Sequence, residues 1–265
     1  MRKCVMAAIM AVMSVAYAGA SRIDTLVVDS KMGKQVKSIV ALPYDGKATR
    51  SYPVVYLLHG MYGDYTDWSS HTGCLDRIAA EYGVIIVCPD GENAFYFDSP
   101  LVASSQYETY VTQELLQAVD SKYPTIATRD GRAITGLSMG GHGALWLAWR
   151  HKDLYRACGS MSGAVDIATG EKNNKYIERV IGTDPRQWES HSVTSLVPTL
   201  RNGEQAIIIT EGTEDFLYEQ NMRLHELLRE AKIDHYFVLS PGGHTWEYWT
   251  SILPHHLRFF KQYLP

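Results

Sequence analysis

Short apolar runs closed off by Pro, Gly or Asp alternate along this chain with longer segments in which apolar positions recur every three or four residues. Runs at 25–28, 36–42, 53–58, 84–88, 133–135, 157–161, 206–210 and 236–239 read as strands. The run at 53–58 is nearly continuous in apolar residues, which suits a strand covered on both faces rather than one with a wet side. Helical periodicity marks 107–122, 138–151, 218–231 and 246–263. Strand followed by helix, repeated, predicts an α/β architecture: a mostly parallel central sheet with helices on both faces, and antiparallel strands at the beginning. The segment 167–200 breaks the rhythm, being polar and aperiodic with Gly170, Gly182 and Pro185. It reads either as a small lid or insertion beside a site, or as a surface connection with a short helix.

Composition changes this picture little, and the N-terminus changes it more. A chain of 265 residues, 46% hydrophobic and 20% charged, is long enough for one large core but short for two, so 21–265 is expected to form a single domain. Residues 1–20 read instead as a cleaved secretory signal peptide: Arg2 and Lys3 precede an apolar stretch at 5–15, and Ala16-Tyr17-Ala18-Gly19-Ala20 supplies small residues for a peptidase. The stretch is short of the roughly 20 residues that span a bilayer, so a secreted or periplasmic chain with no membrane anchor is expected. Cys4 leaves with the leader, and Cys74, Cys88 and Cys158 are an odd number, with apolar surroundings at the last two that suit buried free thiols. The formal net charge of -4, with both signs interspersed, offers no basic face for nucleic acid or anionic lipid.

The sharpest chemical feature is Gly136-Leu137-Ser138-Met139-Gly140-Gly141, which follows one strand and opens a helix. In a nucleophile elbow the serine occupies a strained turn, and flanking glycines let strand and helix approach closely. Ser138 is thereby the candidate nucleophile. Its neighbour Met139 lies at a helix N-terminus, where free N–H groups favour developing negative charge. A second donor is expected from the loop after the strand at 53–58, and the Met61 N–H, in His59-Gly60-Met61, is placed to supply it. His59 precedes the serine, whereas an α/β-hydrolase orders its residues Ser, acid, His. It is therefore expected to hold that loop by hydrogen bonds. Among later histidines, His244 sits in a Gly-rich loop between the last strand and the last helix, at the sheet edge where such folds keep catalysts. His225, His235, His255 and His256 read as solvated or packed. The acid should follow the strand at 206–210, where Glu211, Glu214 and Asp215 compete; Asp215 has the short side chain usual for the role, Glu211 and Glu214 read as solvated loop charges, and Asp166 is the outsider.

These motifs together resemble the esterase D-like family, which includes tributyrin and feruloyl esterases, S-formylglutathione hydrolases and the antigen 85 mycolyltransferases. The resemblance covers most of the chain and rests on 57–67 (LLHGMYGDYTD), 107–115 (YETYVTQEL), 134–143 (ITGLSMGGHG), 159–163 (GSMSG), 212–216 (GTEDF) and 242–246 (GGHTW). It implies an α/β-hydrolase fold and carboxylic-ester hydrolysis without a cofactor or metal, with Ser138, Asp215 and His244 catalytic and Met61 and Met139 as oxyanion donors. Antigen 85 proteins usually carry a different loop in place of His59-Gly60-Met61, and S-formylglutathione hydrolases work in the cytosol, from which the leader points away. A secreted esterase removing feruloyl, acetyl or other short acyl groups from plant polysaccharide or small esters is the subgroup implied. An acyltransferase of antigen 85 type and an inactive carbohydrate-binding homologue are the other two readings. Aromatic residues expected near the mouth, and so candidates for substrate contact, are Tyr62, Trp68, Phe95, Tyr96, Trp188 and Trp246.

Overall fold

The computed structural model describes residues 21–44, 48, 50–170 and 174–265, so the expected leader at 1–20 lies outside the described residues. The strands are β1 (Arg22–Ser30), β2 (Lys34–Leu42), β3 (Val54–Leu58), β4 (Ile85–Pro89), β5 (Arg132–Gly136), β6 (Ala157–Met161), β7 (Ala206–Gly212) and β8 (Tyr236–Ser240). They form one 8-stranded sheet in the order β1-β2-β4-β3-β5-β6-β7-β8. β2 is antiparallel to both β1 and β4, and the pairings that join β4, β3, β5, β6, β7 and β8 are parallel.

The unbroken apolar run of β3 has a physical reason. Successive side chains on a strand point to opposite faces, and here both faces are covered. Val54, Tyr56 and Leu58 join the core beneath the helix Met139–Arg150, while Val55 and Leu57 join a second core with Leu253 and Leu257 of the helix Trp246–Phe260. Full burial of each aliphatic side chain is worth about 1.5–3 kcal/mol, so both faces hold the strand in register. The helices Leu75–Tyr82 and Trp246–Phe260 cover one face, and Met139–Arg150 and Tyr218–Glu230 the other.

Three features depart from the sequence pattern. The segment expected as one helix at 107–122 contains a π-helical stretch, Tyr110–Leu115, between α-helical ends. Two short helices, Asp67–Thr72 and Leu75–Tyr82, were not foreseen, because neither is long enough to establish a period; their trace in the sequence is the glycine that stops each, Gly73 and Gly83, in the left-handed conformation. The segment 167–200 folds as Ile167–Gly170, Lys175–Ile181, Pro185–His191 and a 3-10 stretch Val193–Thr199. Its two central helices are started by local chemistry: the Asn174 side chain accepts the Tyr176 and Ile177 N–H groups, and Asp184 accepts that of Arg186 with Pro185 in the first turn. Among the described residues no helix is long and apolar enough to cross a membrane.

Candidate active site

β5 ends at Gly136 and the helix begins at Met139, so the chain reverses over Leu137 and Ser138. Ser138 has φ 53° and ψ -118°, a conformation that L residues rarely adopt and that the surroundings must enforce. The Ser138 N–H donates to the Met161 carbonyl at 2.9 Å, and its carbonyl accepts the His142 and Ala164 N–H groups at 3.0 and 3.2 Å. The flanking glycines are required by space. A Cβ on Gly136 would stand 2.6 Å from the Gly140 carbonyl oxygen, and one on Gly140 would stand 2.5 Å from that of His59.

His244 and Asp215 come from the loops after β8 and β7, which interleave. The Thr213 N–H donates to the Ser240 carbonyl at 3.0 Å and the Glu214 N–H to that of Gly242 at 2.9 Å. These two bonds set the separation of the following side chains. His244 Nδ1 lies 2.8 Å from Asp215 Oδ2, and its Nε2 lies 2.9 Å from Ser138 Oγ. A carboxylate can only accept, which assigns the ring proton to Nδ1 and leaves the Nε2 lone pair facing the serine hydroxyl. The Leu217 N–H also donates to Asp215 Oδ1 at 2.9 Å, and the Asp215 side chain is fully buried. The His244 ring packs against Phe216 at 4.5 Å and edge-on to Trp249 at 4.8 Å between centroids.

Two backbone N–H groups flank the serine. Met139 opens the helix and Met61 follows Gly60 in the loop after β3; among the described residues neither N–H donates a hydrogen bond within the chain. That loop is anchored from three sides. His59 Nε2 accepts the Gly91 N–H at 2.9 Å, which leaves Nδ1 to donate to the Gly60 carbonyl at 2.7 Å. The Tyr96 hydroxyl donates to the His59 carbonyl at 3.2 Å, and Trp68 Nε1 to that of Leu58 at 3.0 Å. His59 thus holds the loop, in the role expected for it.

A cavity of about 370 Å³ opens over Ser138 and His244. Of the expected aromatic contacts, Tyr62 and Trp246 line it. The other four do not. Trp68 is buried edge-on behind Trp246, with 5.1 Å between ring centroids. Phe95 and Tyr96 have positive φ, and the turn sends both rings into the core, where Gly91 and Gly143 leave room for Tyr96. Trp188 is buried with its Nε1 donating to the Gly182 carbonyl at 2.7 Å, so it does not cap the cavity. Among the described residues of 167–200, Gly170 and Asn174 reach the cavity wall. Phe216, Trp249 and Asp67 also line it and were not anticipated. Two of them had a sequence trace: Phe216 adjoins Asp215, and Trp249 follows Trp246 by one helical turn. A larger, shallower depression of about 830 Å³ lies around Arg150 and Lys152, but these cations are already paired with Glu108 at 2.9 Å and Glu204 at 2.8 Å.

Glu211 corrects a further expectation. It is not a solvated loop charge but a fully buried residue of β7, where Oε1 accepts the Gly212 N–H at 3.1 Å. Burial, reinforced by the charge of Asp215, pushes its carboxyl up to about 9. Asp166 serves elsewhere, accepting from the Thr169 N–H at 3.3 Å and the Ser192 hydroxyl at 3.4 Å. Three of the remaining late histidines have structural partners, His225 Nδ1 meeting His235 Nε2 at 2.7 Å and buried His256 lying 2.9 Å from Thr135 Oγ1 and 3.1 Å from Thr210 Oγ1, while His255 is exposed. Cys74, Cys88 and Cys158 are free thiols, the last two buried. Among the described residues no group of three or more His, Cys, Asp or Glu side chains is arranged to hold a metal ion.

The geometry has relatives among known proteins. The chain is 27% identical over 247 residues to an acetyl esterase of Caldicellulosiruptor saccharolyticus, covering 84% of this chain and 92% of that one. It is 25% identical over 256 residues to an S-formylglutathione hydrolase of Rattus norvegicus, covering 87% of this chain and 89% of that one. A solved ferulic acid esterase superposes with a TM-score of 0.80 at 31% identity, over 92% of this chain and 99% of the other. The mostly parallel sheet with helices on both faces is the α/β-hydrolase fold of such neighbours. Residues 30–260 match the family described as "Putative esterase", and the chain belongs to that esterase family.

Proposed function

We propose that this esterase is a serine carboxylic-ester hydrolase that works through an acyl-enzyme on Ser138. The observation that carries the reading is the unbroken relay from Ser138 Oγ to His244 Nε2 at 2.9 Å and from His244 Nδ1 to Asp215 Oδ2 at 2.8 Å. Ser138 Oγ attacks the acyl carbonyl carbon while its proton passes to His244 Nε2. Asp215 stabilises the imidazolium so formed. The carbonyl oxygen, now an alkoxide, is met by the N–H groups of Met61 and Met139; one such donor is typically worth about 2.7–4 kcal/mol of barrier. Collapse expels the alcohol, protonated by His244. Water then repeats the sequence on the acyl-serine, releasing the acid and restoring the hydroxyl.

The substrate is a small-molecule or polysaccharide-linked ester carrying a feruloyl, acetyl or other short acyl group. The acetyl esterase and ferulic acid esterase relatives support this, as does a cavity walled by Trp246, Trp249 and Phe216. Arg2, Lys3 and the apolar stretch at 5–15 support secretion or a periplasmic location. The test compares rates on methyl ferulate, acetylated xylan and tributyrin for wild type and Ser138→Ala, with and without a sugar acceptor. Hydrolysis by wild type alone, with labelling of Ser138 by a fluorophosphonate, is expected. Equal rates for Ser138→Ala would end the reading, and dominant transfer to the sugar would replace it with an acyltransferase.

A further inference from the structure

Hydrolysis as described leaves one carboxylate of the cavity, among the described residues, without a task. Asp67, half-buried at the start of the helix Asp67–Thr72, lines the same cavity as Ser138 and His244. Among the described residues that line this cavity, Asp67 is the one carboxylate, and Met61, Leu137, Phe216, Trp246 and Trp249 are apolar or aromatic. Asp67 Oδ2 rests against the backbone of Gly63, so close that any side chain at that position would overlap it. The glycine therefore makes room for the carboxylate. One turn along the same helix, the His71 ring stacks on Trp246, with 4.0 Å between centroids and 6° between planes. Asp67 and the aromatic wall thus belong to one continuous edge of the cavity.

Among the described residues the titratable neighbours of Asp67 are His59, Asp64 and His71, and the Asp64 amide is directed at its carboxyl. Burial raises the carboxyl above its ordinary value. A partly desolvated carboxylate on an aromatic wall gains most from a ligand that brings its own donor. A ligand of the same shape lacking the donor leaves the charge desolvated and unpaired, which penalises the wrong substrate more than the hydrogen bond rewards the right one.

We propose that Asp67 is a specificity-determining residue whose carboxylate accepts a hydrogen bond from a free hydroxyl of the ester substrate. This rests on the esterase reading above and narrows it to esters of polyols or of hydroxyaryl acids. The hydroxyl belongs either to the alcohol half, as in a glycerol or sugar ester, or to the acyl half, as in a phenolic acid. The acceptor chemistry is the same for both, and matched esters separate them.

The experiment measures kcat/KM for two such pairs, glycerol 1-butyrate against propyl butyrate and methyl 4-hydroxycinnamate against methyl 4-methoxycinnamate. Wild type, Asp67→Asn and Asp67→Ala are compared, each checked for cooperative thermal unfolding. In wild type the hydroxyl-bearing ester of one pair is favoured about tenfold or more, and that pair identifies which half carries the hydroxyl. The ratio falls toward unity in both variants, further in Asp67→Ala, while the second pair changes little. A wild-type ratio near unity in both pairs overturns the proposal, as does a preference that survives both substitutions. If wild type turns over none of the four esters, the esterase reading falls and takes this one with it; if the esters turn over and only the ratios fail, the assignment of Asp67 falls alone.

Discussion

Asp215 offers both carboxylate oxygens to a single nitrogen of His244, with Nδ1 2.8 Å from Oδ2 and 3.0 Å from Oδ1. The Leu217 N–H holds Oδ1 from the other side, so the carboxylate cannot rotate away. Asp215→Asn keeps the shape but gives the ring a donor where it needs an acceptor, which favours the tautomer with its proton on Nε2. A fall in kcat of about 10⁴ is expected on a nitrophenyl ester, by analogy with the same exchange in a serine protease. Retention of a tenth of wild-type turnover would remove Asp215 from the relay.

Phe216 is largely exposed, yet its ring lies 4.5 Å from that of His244 and forms part of the cavity wall. Phe216→Ala should therefore raise KM for aromatic esters several-fold while thermal stability shifts little, since an exposed ring has little burial to lose. A large loss of stability with unchanged KM would reverse that assignment.

Glu211 ties stability to alkaline pH. Its folded-state value of about 9 stands above the ordinary 4.5, so the folded chain keeps a proton that the unfolded chain gives up. Its contribution is present in full below pH 4.5 and is lost as pH rises toward 9. Glu211→Gln stays neutral throughout. Its stability relative to wild type should grow with pH across that window, by at most about 1.4 kcal/mol per pH unit, as read by urea unfolding at pH 5, 7 and 9. A constant difference would mean that the carboxyl is not held neutral.

Two histidines act at the acid end. His142 Nε2 donates to the His191 carbonyl at 2.9 Å, and His256 sits between two threonine hydroxyls. Burial lowers both rings from 6.5 to about 3, so the folded chain refuses protons that the unfolded chain accepts. Stability should fall as pH drops from 6.5 toward 3, by up to about 1.4 kcal/mol per pH unit for each ring. His256→Gln is expected to be less stable at neutral pH but to show a flatter acid slope. An unaltered slope would assign acid sensitivity elsewhere.

Sequence alone carried the strand and helix alternation, the strand–turn–helix setting of Ser138, and the placement of His244 beyond the last strand. These are local matters: side-chain periods of two and 3.6, glycines at tight turns, and chain order along one sheet edge are all written within a few neighbouring residues. The tertiary structure decided the rest. Glu211, Glu214 and Asp215 lie within five residues of one another, and only the register of β7 within the sheet determines that Glu211 is sealed inside while Asp215 reaches His244. Tyr96 reads from sequence as an aromatic near the mouth and a candidate for substrate contact, yet it is buried because Gly91 and Gly143, distant from each other in the chain, leave space for its ring. Asp67 joins the cavity through a helix too short to show a period. Each of these outcomes depends on which segments meet in space, and a local pattern of polar and apolar residues does not encode that.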